Sequence, residues 1–507
     1  PEQCAAGGAP LQVGQMAYEV IIVPGCETLR RTTLERLEAF RAAGGTLIFA
    51  GDTPTLTDAI PGDRGARLAA QSVCVPAERE AVLKAAAEAR LVELRLEDGS
   101  RPDDLLYQLR QDGDARWLFL SRGRIPTDKD SVASRTVTIR LTGDWQPTVY
   151  DTQTGETRSL TYTAAAGQTE IRWTAYSYDS LLLRLEPGTG SAAAAQAASV
   201  TGTPLVLPVE LPYTLSEPNA LLLERAEYAL DDGDWQPAEE ILRLDNACRQ
   251  QLGWMQRFES FPQPWVIPEE TPTHTVSLRV TIHSAIDCAG VQLAIEDAEQ
   301  VQLRWNGQPI PSAVTGWYVD KSIKTVALPG LRQGENTLEA VIPFGERTNI
   351  EWMYLLGDFG VAVEGAAARI VALPQTLRFG DITEQGLPFY GGNVTYHIPL
   401  ETHGGALTVT APRYRGVLQT AALDGGAEQA LIFPPYTAAL GQPVAGSHTL
   451  DMTLYGHRRN GFGPIHLADQ TSRWIGPNAW RTTGAEWNDN YMLTEEGILT
   501  PPTVTEE

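Results

Sequence analysis

His448-Thr-Leu-Asp-Met-Thr-Leu454, followed by Tyr455-Gly-His-Arg-Arg-Asn-Gly-Phe-Gly-Pro-Ile-His466, carries the change of pattern on which the fold reading turns. The first seven residues alternate polar and apolar, the period-two signature of a strand with one buried face. The next twelve break that period, because three glycines and Pro464 cannot continue a paired strand. A sheet therefore ends here in a loop bearing His457, Arg458, Arg459, Asn460 and His466. Guanidinium forks, amides and planar rings are the groups that hold a sugar's hydroxyls and its C–H face. The same groups equally build a structural corner by satisfying one another. His457 and His466 have no third ligand at zinc-like spacing, so neither a metal nor another cofactor is expected.

Outward from this stretch the β pattern continues. Val394–Leu400 and Ala406–Thr410 alternate, Asp424-Gly425 marks a turn, and Ile432-Phe-Pro-Pro-Tyr436 leads back to the quoted strand. A weaker earlier copy runs from Thr275–Ile282 and Val291–Ile295 through the Asn306-Gly307 turn to Ile323–Leu328 and Leu331–Val341. On the C-terminal side Trp474, Trp480 and Trp487 stand in a segment rich in Gly, Pro and Asn. Trp474, Trp480, Trp487, His457, Arg459 and Asn460 are therefore the candidate sugar contacts. The order of elements in both copies resembles the galactose-binding-like jelly roll of many glycoside hydrolases. Phe379-Gly-Asp-Ile-Thr-Glu-Gln-Gly-Leu-Pro-Phe-Tyr390-Gly-Gly resembles the lead-in to the second jelly roll of such enzymes. The resemblance implies sandwiches over 271–365 and 366–507, and it makes Leu454–His466 a corner that turns toward a neighbouring barrel.

The N-terminal region reads differently. Tyr18–Pro24 and Thr46–Ala50 are continuous apolar runs, as in strands covered on both faces. Leu29, Leu34, Leu37 and Phe40 share a helical face between them, and Gly44-Gly45 ends that helix. This βαβ unit predicts a parallel sheet. Glu78–Arg90 and Asp103–Arg110 read as further helices, and Arg116–Ser121 as a strand. Tyr18–Gly25 and Leu34–Asp52 resemble the class I amidotransferase-like domain that some β-galactosidases use for trimerisation. That implies a flavodoxin-like α/β domain over 1–130 and self-association. The turn that would carry the family's nucleophile is Phe49-Ala50-Gly51-Asp52, without a thiol. Cys26, in Pro-Gly-Cys-Glu-Thr, lacks the following glycine, and the first histidine is His274, so no Cys–His pair arises within this domain. It is scaffold.

Between these regions, Thr136–Leu141, Thr148–Tyr150, Glu170–Trp173 and Ser180–Leu185 are short strands of a small β-domain, 131–188, similar to those that follow glycoside hydrolase barrels. The stretch 189–270 opens with a small-residue linker, Gly188–Thr203. It continues with a strand pair turned at Asp232-Gly233 and a helix expected from Pro237 to about Leu252. Leu222–Trp235 resembles a segment of α-L-rhamnosidases. The whole is thus expected to be multidomain, α/β followed by all-β.

Lys+Arg 39 against Asp+Glu 63 gives a net charge of −24, which argues against nucleic acid and anionic membrane surfaces and suits a neutral ligand. No run of about eighteen apolar residues offers a membrane span. Five scattered cysteines fit neither a disulfide framework nor a metal site. They favour a cytoplasmic location, with secretion the alternative if a region precedes Pro1. Glycoside hydrolysis needs two carboxyl groups across a sugar, and Glu351, Glu486 and Asp489 are the candidates, with Asp358 and Glu384 behind them. In the families this chain resembles, the catalytic acids lie in an N-terminal barrel, and no eightfold βα pattern occurs here. The expected role is the accessory, scaffold and sugar-binding part of a glycoside hydrolase acting on plant or microbial oligosaccharides, with its catalytic barrel upstream or on another chain. A stand-alone carbohydrate-binding protein and a glycosidase with its acid pair in the jelly-roll region are the alternatives.

Overall fold

The structure, a computed structural model, describes residues 7–193, 202–257, 271–471, 476, 479–480 and 483–507. Its described residues are mostly β, 46% strand and 12% helix. It divides into two compact units, Pro1–Thr127 with Ala133–Gln196, and Asp128–Val132 with Ala197–Glu507. No helix among the described residues is long and apolar enough to cross a membrane.

In the first unit, Val20–Pro24, Thr46–Ala50 and Val73–Val75 form a three-stranded parallel sheet. Helix Arg31–Ala42 joins the first two strands and buries Leu34, Leu37 and Phe40, as the spacing requires. Gly45 lies under the Phe40 ring, where an added Cβ would sit 2.3 Å from ring carbons, so only glycine lets the chain turn there. The βαβ unit is present, but the sheet has three strands among the described residues, short of the roughly five of a flavodoxin-like sheet.

Of Asp103–Arg110, expected as a helix, Leu105–Arg110 instead belongs to strand Leu105–Asp112, paired antiparallel with Ala115–Arg122, and Asp103-Asp104 is a turn before it. Gly113-Asp114, with Gly113 at φ 59°, closes this hairpin between the paired Asp112 and Ala115, and that turn outweighs the helical spacing of the leucines. Ala115–Arg122 also pairs with Ser180–Pro187, and Val92–Leu96 pairs with Ser134–Thr142. Strands from Val92 onward therefore belong with the small β-domain, and hydrogen bonding does not divide the chain at 130. Two five-stranded sheets face each other over Leu118, Val137, Ile139, Ile171 and Leu183.

The second unit holds two β-sandwiches. In the first, strands Asn219–Leu223, Met353–Gly357, Gln292–Glu296, Asp320–Ala327 and Val314–Tyr318 form one sheet. The other sheet is built on His274–Ser284 paired with Gly334–Phe344. Helix Ile241–Leu252 closes one side. Its expected start at Pro237 is four residues early, because Gln236–Glu240 is an edge strand, where proline's missing N–H costs nothing. The helix begins where the Glu240 carboxylate accepts from Arg243 N at 3.0 Å, and Gly253 ends it at φ 73°.

The second sandwich is built on Val394–Thr402 and Gly446–Tyr455, paired over nine residue positions. Part of the expected linker region joins it. Tyr213–Leu215 pairs with Val394–Thr402, and Thr203–Pro204 pairs with Thr503–Glu506. Gly446–Tyr455 lies between Val394–Thr402 and Leu418–Leu423, inside its sheet rather than at an edge. The chain leaves at Tyr455 and returns to add Thr503–Glu506 against Leu407–Thr410.

Candidate functional site

The excursion beyond Tyr455 is anchored where it begins. His457 N donates to Glu496 Oε1 at 2.9 Å, and the Arg458 guanidinium grips Glu217 with bonds of 2.5 and 2.8 Å. Asn460, buried, donates to Thr494 O at 2.8 Å and accepts from Thr494 N at 2.9 Å. Its amide thus ties the outgoing strand of the loop to the returning one. The guanidinium of Arg459 makes no hydrogen bond or ion pair among the described residues.

The loop then packs on the first sandwich. Phe462 stacks on Tyr354 with ring centroids 4.8 Å apart, and Tyr354 Oη donates to Gly461 O at 3.0 Å. Ile465 belongs to the core of the first sandwich, and Phe462, Trp480, Tyr491 and Leu493 pack against it. The indole N–H of Trp480 donates to Phe462 O at 3.0 Å. The loop that leaves one sandwich is therefore core material for the other.

His466, 3% exposed, stacks on Trp487 at 4.3 Å and lies 5.6 Å from the Tyr491 ring. Its Nδ1 donates to Asn488 O at 2.8 Å, since a carbonyl can only accept, which leaves Nε2 3.6 Å from Glu224 Oε2. Tyr491 Oη donates to Glu224 Oε1 at 2.9 Å. Trp487 donates to Asp489 at 2.9 Å, Asp489 meets Arg225 at 3.1 Å, and the Arg243 guanidinium lies over the Trp487 ring at 4.7 Å. Of the expected sugar contacts, His457, Arg459 and Asn460 stand at the loop's outset and Trp480 and Trp487 on its return; Trp474 lies outside the described residues.

Burial sets the electrostatics. Glu496 is pushed up to about 8, chiefly by loss of water, and desolvation lowers the neighbouring His457. Glu240, which accepts from Trp352 Nε1 at 2.6 Å, is raised to about 7 for the same reason. These groups favour their neutral forms. In the first unit, burial raises the Cys26 thiol, the opposite of what an activated nucleophile needs.

The candidate acids are dispersed. Glu486 is exposed in the short helix Gly484–Glu486, and Asp489 is held down by Trp487 and Arg225. Glu351 ion-pairs with Arg257 and lies close to Glu296, which burial and the Glu351 and Asp297 charges raise to about 7. A raised acid beside a paired carboxylate has the electrostatics of a glycosidase pair. The cavity between them holds about 40 Å³. That is room for about one water, whereas ligand pockets run to roughly 300–1,000 Å³.

Tyr354, Glu217, Glu224 and Arg243, which complete this arrangement, were not among the residues singled out by sequence. Glu224 carried a signal: it is a lone acid directly after the wholly apolar run Ala220-Leu-Leu-Leu223.

No protein-family model matches the chain, and no curated protein sequence matches it. Among solved structures it is similar to a rhamnosidase from Novosphingobium sp. PP1Y at 13% identity and TM-score 0.46, covering 100% of this chain and 35% of that one. It is also similar to an α-L-rhamnosidase from Streptomyces avermitilis complexed with L-rhamnose, at 12% identity and TM-score 0.23, covering 73% of this chain and 38% of that one. An apo exo-carrageenase GH42 from Bacteroides ovatus matches at 13% identity and TM-score 0.23 over 34% of this chain and 23% of that one. The chain spans about a third of the length of the two rhamnosidases.

Proposed function

We propose that this chain is the non-catalytic accessory part of a glycoside hydrolase acting on plant or microbial oligosaccharides, its hydrolytic barrel upstream or on another chain. On this reading the two sandwiches are galactose-binding-like jelly rolls. The parallel-sheet region is an amidotransferase-like scaffold without its nucleophile, in keeping with the raised Cys26 thiol.

One observation carries the reading. Apart from the Arg459 guanidinium, the polar and aromatic groups of the corner loop that have the chemistry to grip a sugar are held by protein partners: Arg458 by Glu217, Asn460 by Thr494, Phe462 by Tyr354, and His466 by Trp487 and Asn488. That is the arrangement of a clamp. The candidate acids support the same view, because Glu296, the raised carboxyl beside Glu351, faces a cavity too small for a sugar ring.

Purified chain assayed on a panel of aryl glycosides tests the proposal. No turnover is expected. Hydrolysis that disappears in Glu351→Gln or Glu296→Gln would replace it with the catalytic reading.

A further inference from the structure

We propose that the groove between helix Ile241–Leu252 and the edge strand Gln236–Glu240 is a binding site for a neutral oligosaccharide. The inference rests on the carbohydrate-related reading above and deepens it by locating a sugar site away from the corner loop. The groove measures about 510 Å³, within the roughly 300–1,000 Å³ range of ligand pockets and more than ten times the cavity at Glu351.

Its chemistry selects the ligand class. Arg243, Ala247 and Gln250 fall on one helical face at i, i+4 and i+7, so the helix presents a charged end, a small centre and an amide end. Ala247 leaves depth where a larger side chain would fill the groove. Arg243 and Glu239, both lining it, pair with each other at 3.1 Å. They are the charged residues that line the groove, so its lining carries no net charge to select an anion or a cation.

The remaining donors and acceptors suit hydroxyl groups. The side-chain amides of Gln250 and Gln256 and the hydroxyl of Tyr228 line the groove and make no hydrogen bond among the described residues. An amide donates and accepts at adjacent atoms, matching a vicinal diol, which does the same. The Tyr228 ring supplies an apolar face for sugar C–H groups.

The frame is held in place. Asn246 donates to Arg257 O at 3.2 Å and accepts from Arg257 N at 2.6 Å, which fastens the Gln256 end against the helix. Arg243 is fixed at the other end over Trp487. Groups positioned before binding lose little freedom on it.

A glycan array of neutral and acidic oligosaccharides, followed by calorimetric titration with the best-retained neutral glycan, tests the site. The proposal expects wild-type retention of neutral glycans and at least about tenfold weaker binding in the Gln250→Ala, Gln256→Ala double variant, with Tm unchanged. Ala247→Leu, which fills the groove without removing a polar group, is expected to weaken binding likewise. Neutral-glycan binding that survives both variants overturns the groove and leaves the accessory reading standing. Retention of acidic glycans alone, or of none, also overturns it. Failure of the accessory reading is seen separately, as aryl-glycoside turnover.

Discussion

The phenol of Tyr354, on a core strand of the first sandwich, donates a 3.0 Å hydrogen bond to Gly461 O in the loop that leaves the second, across 107 residues of sequence. Its ring stacks on the next residue, Phe462. Tyr354 is 3% exposed, so the bond is shielded from water. Tyr354→Phe leaves the Gly461 carbonyl without its partner and is expected to cost about 1–2 kcal/mol, the penalty for a buried group left unsatisfied. Chemical denaturation with an unchanged m-value checks it.

Arg458 and Glu217 are expected to be coupled. Their fork is bidentate, yet Arg458 keeps 35% side-chain exposure and Glu217 21%, so solvent screens part of the attraction. A double-mutant cycle with Arg458→Ala and Glu217→Ala is expected to return a coupling of roughly 1 kcal/mol. Additive single effects would show that the pair merely coincides.

The buried ion network beneath helix Ile241–Leu252 is the costliest place to break. Asp245, fully buried, takes Arg249 Nε at 3.1 Å and Arg257 Nη1 at 2.9 Å. Asp245→Ala removes the buried carboxylate that both guanidinium groups share, leaving Arg257 with Glu351 and Arg249 with the Glu346 and Thr348 carbonyls, and is expected to cost about 3 kcal/mol. Thermal unfolding of the variant reads this directly.

Stability should fall as pH rises through the neutral range at Glu496. Its carboxyl sits at about 8 in the folded chain against a reference of 4.5, so the folded state holds a proton that the unfolded state has released. Stability from this group is complete below about 4.5 and is lost as pH rises toward about 8. Glu496→Gln, which keeps an acceptor for His457 N, is expected to raise the unfolding free energy more at pH 8.5 than at pH 5, by up to about 1.4 kcal/mol per pH unit crossed, read by chemical denaturation at the two pH values. An equal shift at both pH values would mean that Glu496 is not protonated in the fold.

Strands with an alternating pattern and a nearby turn were legible in the sequence: His274–Ser284, Val394–Thr402 and Gly446–Tyr455 lie where periodicity puts them. Leu105–Asp112 and Gln236–Glu240 were not, since hairpin closure and an edge position overrode local preference. Thr203–Pro204 and Tyr213–Leu215 were hidden for another reason: they are too short to show a period, and their partners lie far along the chain. The corner loop could be placed from its glycines and Pro464. Its use could not, because Glu217 and Tyr354 stand 241 and 107 residues from their partners. Non-local contacts of this kind leave no mark in a sequence window.

The central claim is that the loop from Tyr455 clamps the two sandwiches together rather than gripping sugar. Phe462→Ala tests it most directly, read by differential scanning calorimetry alongside glycan-array retention. The account predicts a lower Tm, from a loss of roughly 2–4 kcal/mol of packing, with the same set of glycans retained by the molecules that stay folded. An unchanged Tm with glycan retention abolished would contradict it.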